Sequence, residues 1–138
     1  MLMKVSDLDG RALNWAVAYV LWGKPRKSEH WHCFDTGNSD QPQAIVREKP
    51  RSIQEDEYNP SGNWAHGGPL IPICDVYLFP DTDGYIAKVH AVFEDHPDIE
   101  VTMHGSTPLQ AACLCIVKYL SRCNDEIEIP DELCEVKS

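Results

Sequence analysis

The sequence lacks an apolar stretch that approaches the roughly 20 residues of a membrane-spanning helix. Its longest candidate, Ala12 to Trp22, is interrupted by Asn14 and followed by Gly23. The chain begins Met1-Leu2-Met3-Lys4 and soon becomes acidic, unlike the basic and then apolar start of a secretory signal. These absences predict a cytoplasmic protein with no membrane association.

Basic residues are scarce in the second half of the chain. Residues 1–69 hold 8 basic and 9 acidic side chains, whereas residues 70–138 hold 4 basic and 13 acidic ones. The net charge of −10 therefore lies almost entirely in the C-terminal half. Because such a surface repels a phosphate backbone, general nucleic-acid binding is disfavoured. The alternative is that this acidic surface binds a basic partner.

Paired metal-binding motifs and catalytic motifs are also missing. The six cysteines form no Cys-x-x-Cys pair, and His30-Trp31-His32-Cys33 offers three ligands where structural zinc takes four. Without a secretory signal, the cysteines are expected to be mostly buried and unpaired. The sequence contains neither a Gly-x-Ser-x-Gly elbow nor a glycine-rich phosphate loop followed by Lys. We therefore predict no cofactor, no metal and no assigned catalytic residue, and a binding protein in preference to an enzyme.

Two helices are predicted, one near each end of a single domain spanning residues 1–138. The first follows Asp9, which can cap it, and ends at Gly23. Its stripe of Trp15, Tyr19 and Trp22 is expected to pack in the core, with a ligand or partner face as the alternative. The second begins at Thr107 as N-cap, with Pro108 at the first helical position and Gln110 completing a capping box, and Asn124 can end it.

Three β-type runs lie between these helices. They are Ile71–Phe79, Tyr85–Phe93 and Ile99–Met103, and turn-forming residues separate them. Glu126–Ile129 alternates like a short edge strand before the acidic tail of residues 131–138. The pattern predicts an α+β fold in which a small antiparallel meander packs against the two main helices. Residues 24–57 are expected to be irregular, either as a functional loop or as a mobile segment, apart from a short strand at Ala44–Val46.

Three blocks of the chain resemble the NinX-like proteins of tailed phages and prophages. The blocks are Met3–Leu8 leading into the Trp15 helix, Tyr58–Ile71, and Thr107–Ala112 continuing to Glu126–Pro130. The segments between them do not match, and His66 stands where the resemblance implies an uncharged polar residue such as Gln. The resemblance implies a phage accessory factor of unknown function in the bacterial cytoplasm, with no catalytic residues assigned.

The loop from Tyr58 to Leu70 is the first candidate site. In Gly67-Gly68-Pro69 the two glycines allow backbone conformations that other residues avoid, and the proline then restricts the backbone. Tyr58, Trp64 and His66 supply rings that suit stacking on a base or another planar ligand. The alternative is that Trp64 fills the core and the glycines only turn the chain.

The segment His104-Gly105-Ser106-Thr107 is the second candidate, because free N–H groups at a helix start bind phosphate or carboxylate. The alternative is a helix cap with a solvent-facing His. Convergence of both segments would create one pocket, to which Arg47, Lys49 and Arg51 could add charge. The predicted ligand-binding residues are Tyr58, Trp64, His66, Gly67, Gly68, His104, Ser106 and Thr107.

These features lead to three hypotheses of function. The first is a non-catalytic phage accessory protein that binds a small phosphorylated or nucleotide-like ligand and sequesters a host signal. The second is an acidic adaptor or inhibitor that binds a host protein through Asp125–Glu135. The third is a small Cys/His enzyme. The sequence leaves a homo-oligomer open.

Overall fold

The computed structural model describes residues 2–23, 25–27, 32–35, 52–54, 58–91, 99–121 and 124–133. Their elements are, in chain order, β1 (Leu2–Lys4), a 3-10 turn (Val5–Asp7), α1 (Gly10–Trp22), β2 (Arg26–Lys27), β3 (His32–Asp35), β4 (Ser52–Gln54), α2 (Trp64–Gly67), α3 (Leu70–Ile73), β5 (Tyr77–Asp81), β6 (Gly84–Ala91), β7 (Ile99–Gly105), α4 (Pro108–Leu120), β8 (Glu126–Glu128) and a second 3-10 turn (Asp131–Leu133).

Helix α1 forms where the apolar periodicity predicts it. Its N-terminus differs from the prediction in one respect, because Asp9 stands at the N-cap position but its side chain makes no capping hydrogen bond. The helix ends as predicted at Gly23, whose N–H donates to the Tyr19 carbonyl at 2.8 Å. Of the aromatic stripe, Trp15 and Trp22 are buried as expected, whereas Tyr19 is 39% exposed.

Helix α4 is the best-predicted element. The Thr107 hydroxyl accepts a hydrogen bond from the N–H of Gln110 at 3.1 Å, and Pro108 occupies the first turn. The Gln110 side chain does not close the expected capping box, because its oxygen accepts from the N–H of Ser106 at 2.9 Å instead. The helix ends at Leu120 with Ser121 as C-cap, so Asn124 plays no part in ending it.

Strands β5, β6 and β7 form the predicted antiparallel meander. Residues such as Ala87, Val89 and Val101 are buried on the face that packs against α4. The expected strand from Ile71 begins only at Tyr77, because Leu70–Ile73 forms the short helix α3. Pro69 already has helical φ and ψ values, and the N–H of Cys74 donates to the Leu70 carbonyl, which closes one helical turn.

A further antiparallel sheet, β2-β3-β4, lies in the region expected to be irregular. Its Phe34 is fully buried and meets Trp15 edge-on at 6.0 Å between ring centroids. Large aromatic burial therefore orders this part of residues 24–57, a tertiary contact that local pattern does not reveal. The predicted strand Ala44–Val46 lies outside the described residues.

The predicted edge strand near Glu126 is confirmed as β8, which pairs with β1 in an antiparallel ladder from Leu2↔Glu128 to Lys4↔Glu126. Together these elements confirm the α+β class, with α1 and α4 as the two main helices and the meander packed against α4. No helix among the described residues is long and apolar enough to cross a membrane.

The cysteines of the described core behave as small apolar side chains. Cys74, Cys113 and Cys115 are buried as thiols, as expected, and the other three lie where no side chain is described. Burial raises the pKa of the Cys113 thiol to about 12 and that of the Cys74 thiol to about 11. Both groups are therefore held as unreactive thiols, since the thiolate is the nucleophile.

Cys74 and Cys113 are expected to resist alkylation by iodoacetamide in the folded protein near neutral pH. Both should react fully once the chain is unfolded in urea, because unfolding removes the burial that disfavours the thiolate. Peptide mapping by mass spectrometry measures each site separately, with the urea-unfolded sample as the control. Modification of either cysteine at equal rates in both samples would contradict the burial of that thiol.

Candidate functional site

Tyr58 anchors the start of the candidate loop in the core. Its side chain is 1% exposed, and its ring contacts Trp22 and His66 at centroid distances of 5.1 and 5.5 Å. Burial is the main cause that raises the Tyr58 pKa well above its ordinary value, with smaller contributions from Cys113 and Cys74. The Tyr58 hydroxyl has no hydrogen-bond partner among the described residues. The Tyr58 ring thus packs in the core and is not part of the exposed surface.

Asn14 ties the same loop to α1. It is the buried polar residue of that helix, and its amide nitrogen donates to the Asn59 side-chain oxygen at 2.9 Å. Its own oxygen accepts from both the N–H and the hydroxyl of Ser61, at 3.0 and 2.7 Å. Three hydrogen bonds therefore connect Asn14 to residues that lie 45 and 47 positions further along the chain. They provide partners for a side-chain amide whose burial without partners would destabilise the fold.

His66 fixes the next part of the loop. Its Nδ1 accepts a hydrogen bond from the Asn59 backbone N–H at 2.9 Å, and its ring stacks on Tyr58 at an interplanar angle of 26°. In this hydrogen bond Nδ1 is the acceptor, so it presents its lone pair to the Asn59 N–H. The family resemblance implied an uncharged polar residue such as Gln at this position, and the His66 side chain that stands here instead accepts a hydrogen bond.

Trp64 is presented to solvent by the short helix α2. The Asn63 side chain caps this helix by accepting from the Ala65 N–H at 2.9 Å. The Trp64 side chain is 57% exposed, whereas Trp15 and Trp22 are 5% and 8% exposed. The alternative in which Trp64 fills the core is therefore wrong, and Tyr58 occupies the core in its place.

The two glycines that follow permit close packing. A Cβ on Gly67 would lie 2.1 Å from the Pro60 carbonyl oxygen and 2.9 Å from a methyl group of Leu109, so the loop passes directly against the start of α4. Gly68 is half-buried, and a Cβ there would lie 2.5 Å from the Trp64 carbonyl oxygen. Both positions therefore need glycine for packing within the loop.

The donors at the start of α4 are largely occupied by the chain itself. The N–H of Ser106 donates to the Gln110 side chain, and the N–H of Gln110 donates to the Thr107 hydroxyl. The N–H of Ala111 donates to the Thr107 carbonyl at 3.0 Å, and Pro108 has no N–H. The segment is built as a helix cap, which leaves few donors for an anion.

His104 lies on the far side of the sheet from α4. On β7 its neighbours Met103 and Gly105 are buried, whereas His104 is exposed on the opposite face, where its Nε2 is 3.2 Å from an Asp81 carboxylate oxygen. The two candidate segments meet at one point, where Gly67 lies beside Leu109, two residues after Thr107. His104 faces the other side of the sheet, away from Trp64 and His66. Arg47, Lys49 and Arg51 lie outside the described residues.

Three residues of this site were not predicted from the sequence: Asn14, Asn59 and Ser61. Asn14 did leave a signal, since it interrupts the longest apolar stretch of the chain. A polar residue on an apolar helix face needs partners, and here the loop supplies them. Among the described residues, no group of three or more His, Cys, Asp or Glu side chains is placed to hold a metal ion.

Replacing Asn14 is expected to release the loop from α1. Asn14→Ala leaves the Ser61 and Asn59 groups without their buried partner and should lower the free energy of unfolding by about 1–3 kcal/mol. Urea denaturation measures the loss, and hydrogen exchange should show faster exchange of the Ser61 amide. The control is Asn124→Ala at an exposed position, where about 0.5 kcal/mol or less is expected. Equal effects of the two variants would contradict the role of Asn14.

Comparison with known proteins places the chain in a family. The family model described as "Bacteriophage P22, NinX" matches residues 4–119, a range that includes α1, the Tyr58–Leu70 loop, the meander and nearly all of α4. Among curated proteins, none matches the sequence significantly. Because the family model spans well over half of the chain and confirms the resemblance seen in the three sequence blocks, this protein belongs to the phage NinX family.

Proposed function

We propose that this phage accessory protein acts in the host cytoplasm as a non-catalytic binding protein, and that a nucleotide-like ligand stacks on Trp64. The observation that carries the proposal is the exposure of Trp64, at 57%, on a loop held by hydrogen bonds. Sequestration of a host signal is the role that such binding would serve.

The chemistry of the indole ring supports a planar ligand. Trp offers a large flat apolar surface with a single N–H donor, and aromatic side chains on shaped surfaces stack on any of the bases. Trp64 begins α2 directly after the Asn63 cap, so its backbone is fixed by the first turn of that helix. A stacked base would cover surface that now faces water.

The surrounding contacts support binding at low entropic cost. Three sets of contacts hold the loop in place. They are the burial of Tyr58 in the core, the hydrogen bonds of Asn14 to residues 59 and 61, and the packing of Gly67 on Leu109. Binding then orders few additional groups, and the loss of conformational entropy that opposes association is small.

The occupied donors at α4 favour recognition of the base over capture of the phosphate. The Gln110 side chain already accepts from the N–H of Ser106, and the Thr107 hydroxyl already accepts from the N–H of Gln110. A phosphate that used these two N–H groups would have to displace both side chains. The proposal therefore predicts that the planar part of the ligand supplies most of the affinity.

Calorimetric titration with the four common ribonucleosides and their 5′-monophosphates tests the proposal. We expect at least one base to bind, with similar affinity for the nucleoside and its monophosphate. Trp64→Ala should weaken binding roughly tenfold or more, since stacking on an aromatic ring contributes about 1–3 kcal/mol per base. Trp64→Phe, which keeps a smaller ring, should lose less.

The control variant is Phe79→Ala, which removes another exposed ring on a different part of the surface. It should bind the same ligand as the wild type does. Absence of binding by every nucleoside and nucleotide would overturn the proposal, and so would unchanged binding by Trp64→Ala.

A further inference from the structure

The indole ring of Trp64 packs against Gly68, one helical turn further along the chain. Its Cε3 atom lies 3.5 Å from the position that a Cβ on Gly68 would occupy. The absence of a side chain at Gly68 therefore lets this edge of the ring lie close to the backbone. Because the Trp64 side chain is still 57% exposed, most of the ring remains available to a ligand.

The hydrogen-bond acceptors next to this ring are occupied within the loop. The Asn63 side-chain oxygen accepts from the N–H of Ala65 at 2.9 Å. The Asn63 carbonyl accepts from two backbone N–H groups of the same turn, at 2.9 and 3.0 Å. The Trp64 carbonyl accepts from the N–H of Gly68 at 2.8 Å. The cap and the first turn of α2 thus use these oxygens.

The polar groups that remain on the exposed side chains are donors. The Asn63 amide nitrogen and the Trp64 indole nitrogen have no hydrogen-bond partner in the part of the chain that the structure describes. An amide nitrogen carries two N–H groups and an indole nitrogen one, and neither nitrogen accepts. The exposed neighbours Gly62 and Ala65 have no polar side-chain atom. Residues 62–65 therefore present donors and no unoccupied side-chain acceptor.

The nucleobases differ at the edge that such donors would meet. Guanine carries the acceptor O6 where adenine carries an amino donor, and uracil carries the acceptor O4 where cytosine carries an amino donor. A protein N–H beside the stacked base can donate to the oxygen. Opposite an amino group it leaves two donors without an acceptor, which lowers the affinity.

We infer that Asn63 is the specificity-determining residue of the Trp64 site and selects bases that carry a carbonyl oxygen, guanine and uracil, over adenine and cytosine. This inference rests on the proposed function, since it requires a base stacked on Trp64. The cap fixes the Asn63 side chain for this role. Its oxygen is held by the Ala65 N–H, so the nitrogen of the same planar amide is directed away from that bond.

Calorimetric titration of the full chain with inosine and adenosine tests the choice of base. The two nucleosides share a purine ring, and inosine carries an oxygen at the position where adenosine carries the amino group. We expect inosine and guanosine to bind about three- to tenfold more tightly than adenosine, the ratio expected for one hydrogen bond. Uncharged nucleosides prevent the net charge of −10 from affecting the comparison.

Asn63→Asp tests the residue, because it keeps the capping oxygen and removes the donor. Asp caps helices as well as Asn does, so α2 should stay folded, which urea denaturation checks. Because a carboxylate only accepts, the preference should reverse in favour of adenosine. The matched control is Asn124→Asp, which makes the same change at an exposed position elsewhere and should keep the wild-type preference.

The outcomes separate this inference from the proposal on which it rests. Binding that requires Trp64 but is equally tight for inosine and adenosine would overturn the choice of base and leave the stacking intact. An unchanged preference in Asn63→Asp, or equal weakening of both nucleosides, would overturn the role of Asn63. Absence of binding by every nucleoside would overturn both the inference and the proposed function.

Discussion

The burial of α4 is the constraint on which the rest of the structure depends. Residues 111–117 of this helix are all buried, so the helix has no solvent face along its middle two turns. The meander covers one side, α1 covers another, and the loop at Gly67 covers its start. Ala and Cys at several of these positions keep the helix thin enough for neighbours to approach from several directions. The position of each neighbouring element is therefore set by its packing against α4.

Prediction from the sequence succeeded where the signal is local. The spacing of apolar residues in α1 and α4, the Thr107 cap, and the alternation in β6 and β7 each depend on neighbours within a few residues. The fold class could be predicted from these elements. Prediction was less successful for β2-β3-β4, because the burial of Phe34 depends on Trp15 and Trp22, which lie in a different element.

The candidate site was predictable as a segment but not as a set of side chains. The aromatic and glycine content pointed to Tyr58–Leu70, yet only the folded chain reveals that Tyr58 is buried and Trp64 exposed. Which of two nearby rings faces water depends on Trp22 and Asn14, and both lie more than 35 positions away in the chain. His104 was separated from the other candidates by a single feature, the strand alternation that directs it away from α4.

The pairing of β1 with β8 has a consequence for the order in which the fold assembles. Leu2 meets Glu128, so this ladder closes a loop of nearly the whole described chain, and its closure entropy is the largest of any strand pair. Strands β6 and β7 and helix α4 are consecutive, and their contacts require only short loops. We therefore expect assembly to begin with this consecutive unit and to end with the joining of the two terminal strands. In the native state we expect the same ladder to open first, which would expose Val5 and Leu8 before the other core side chains.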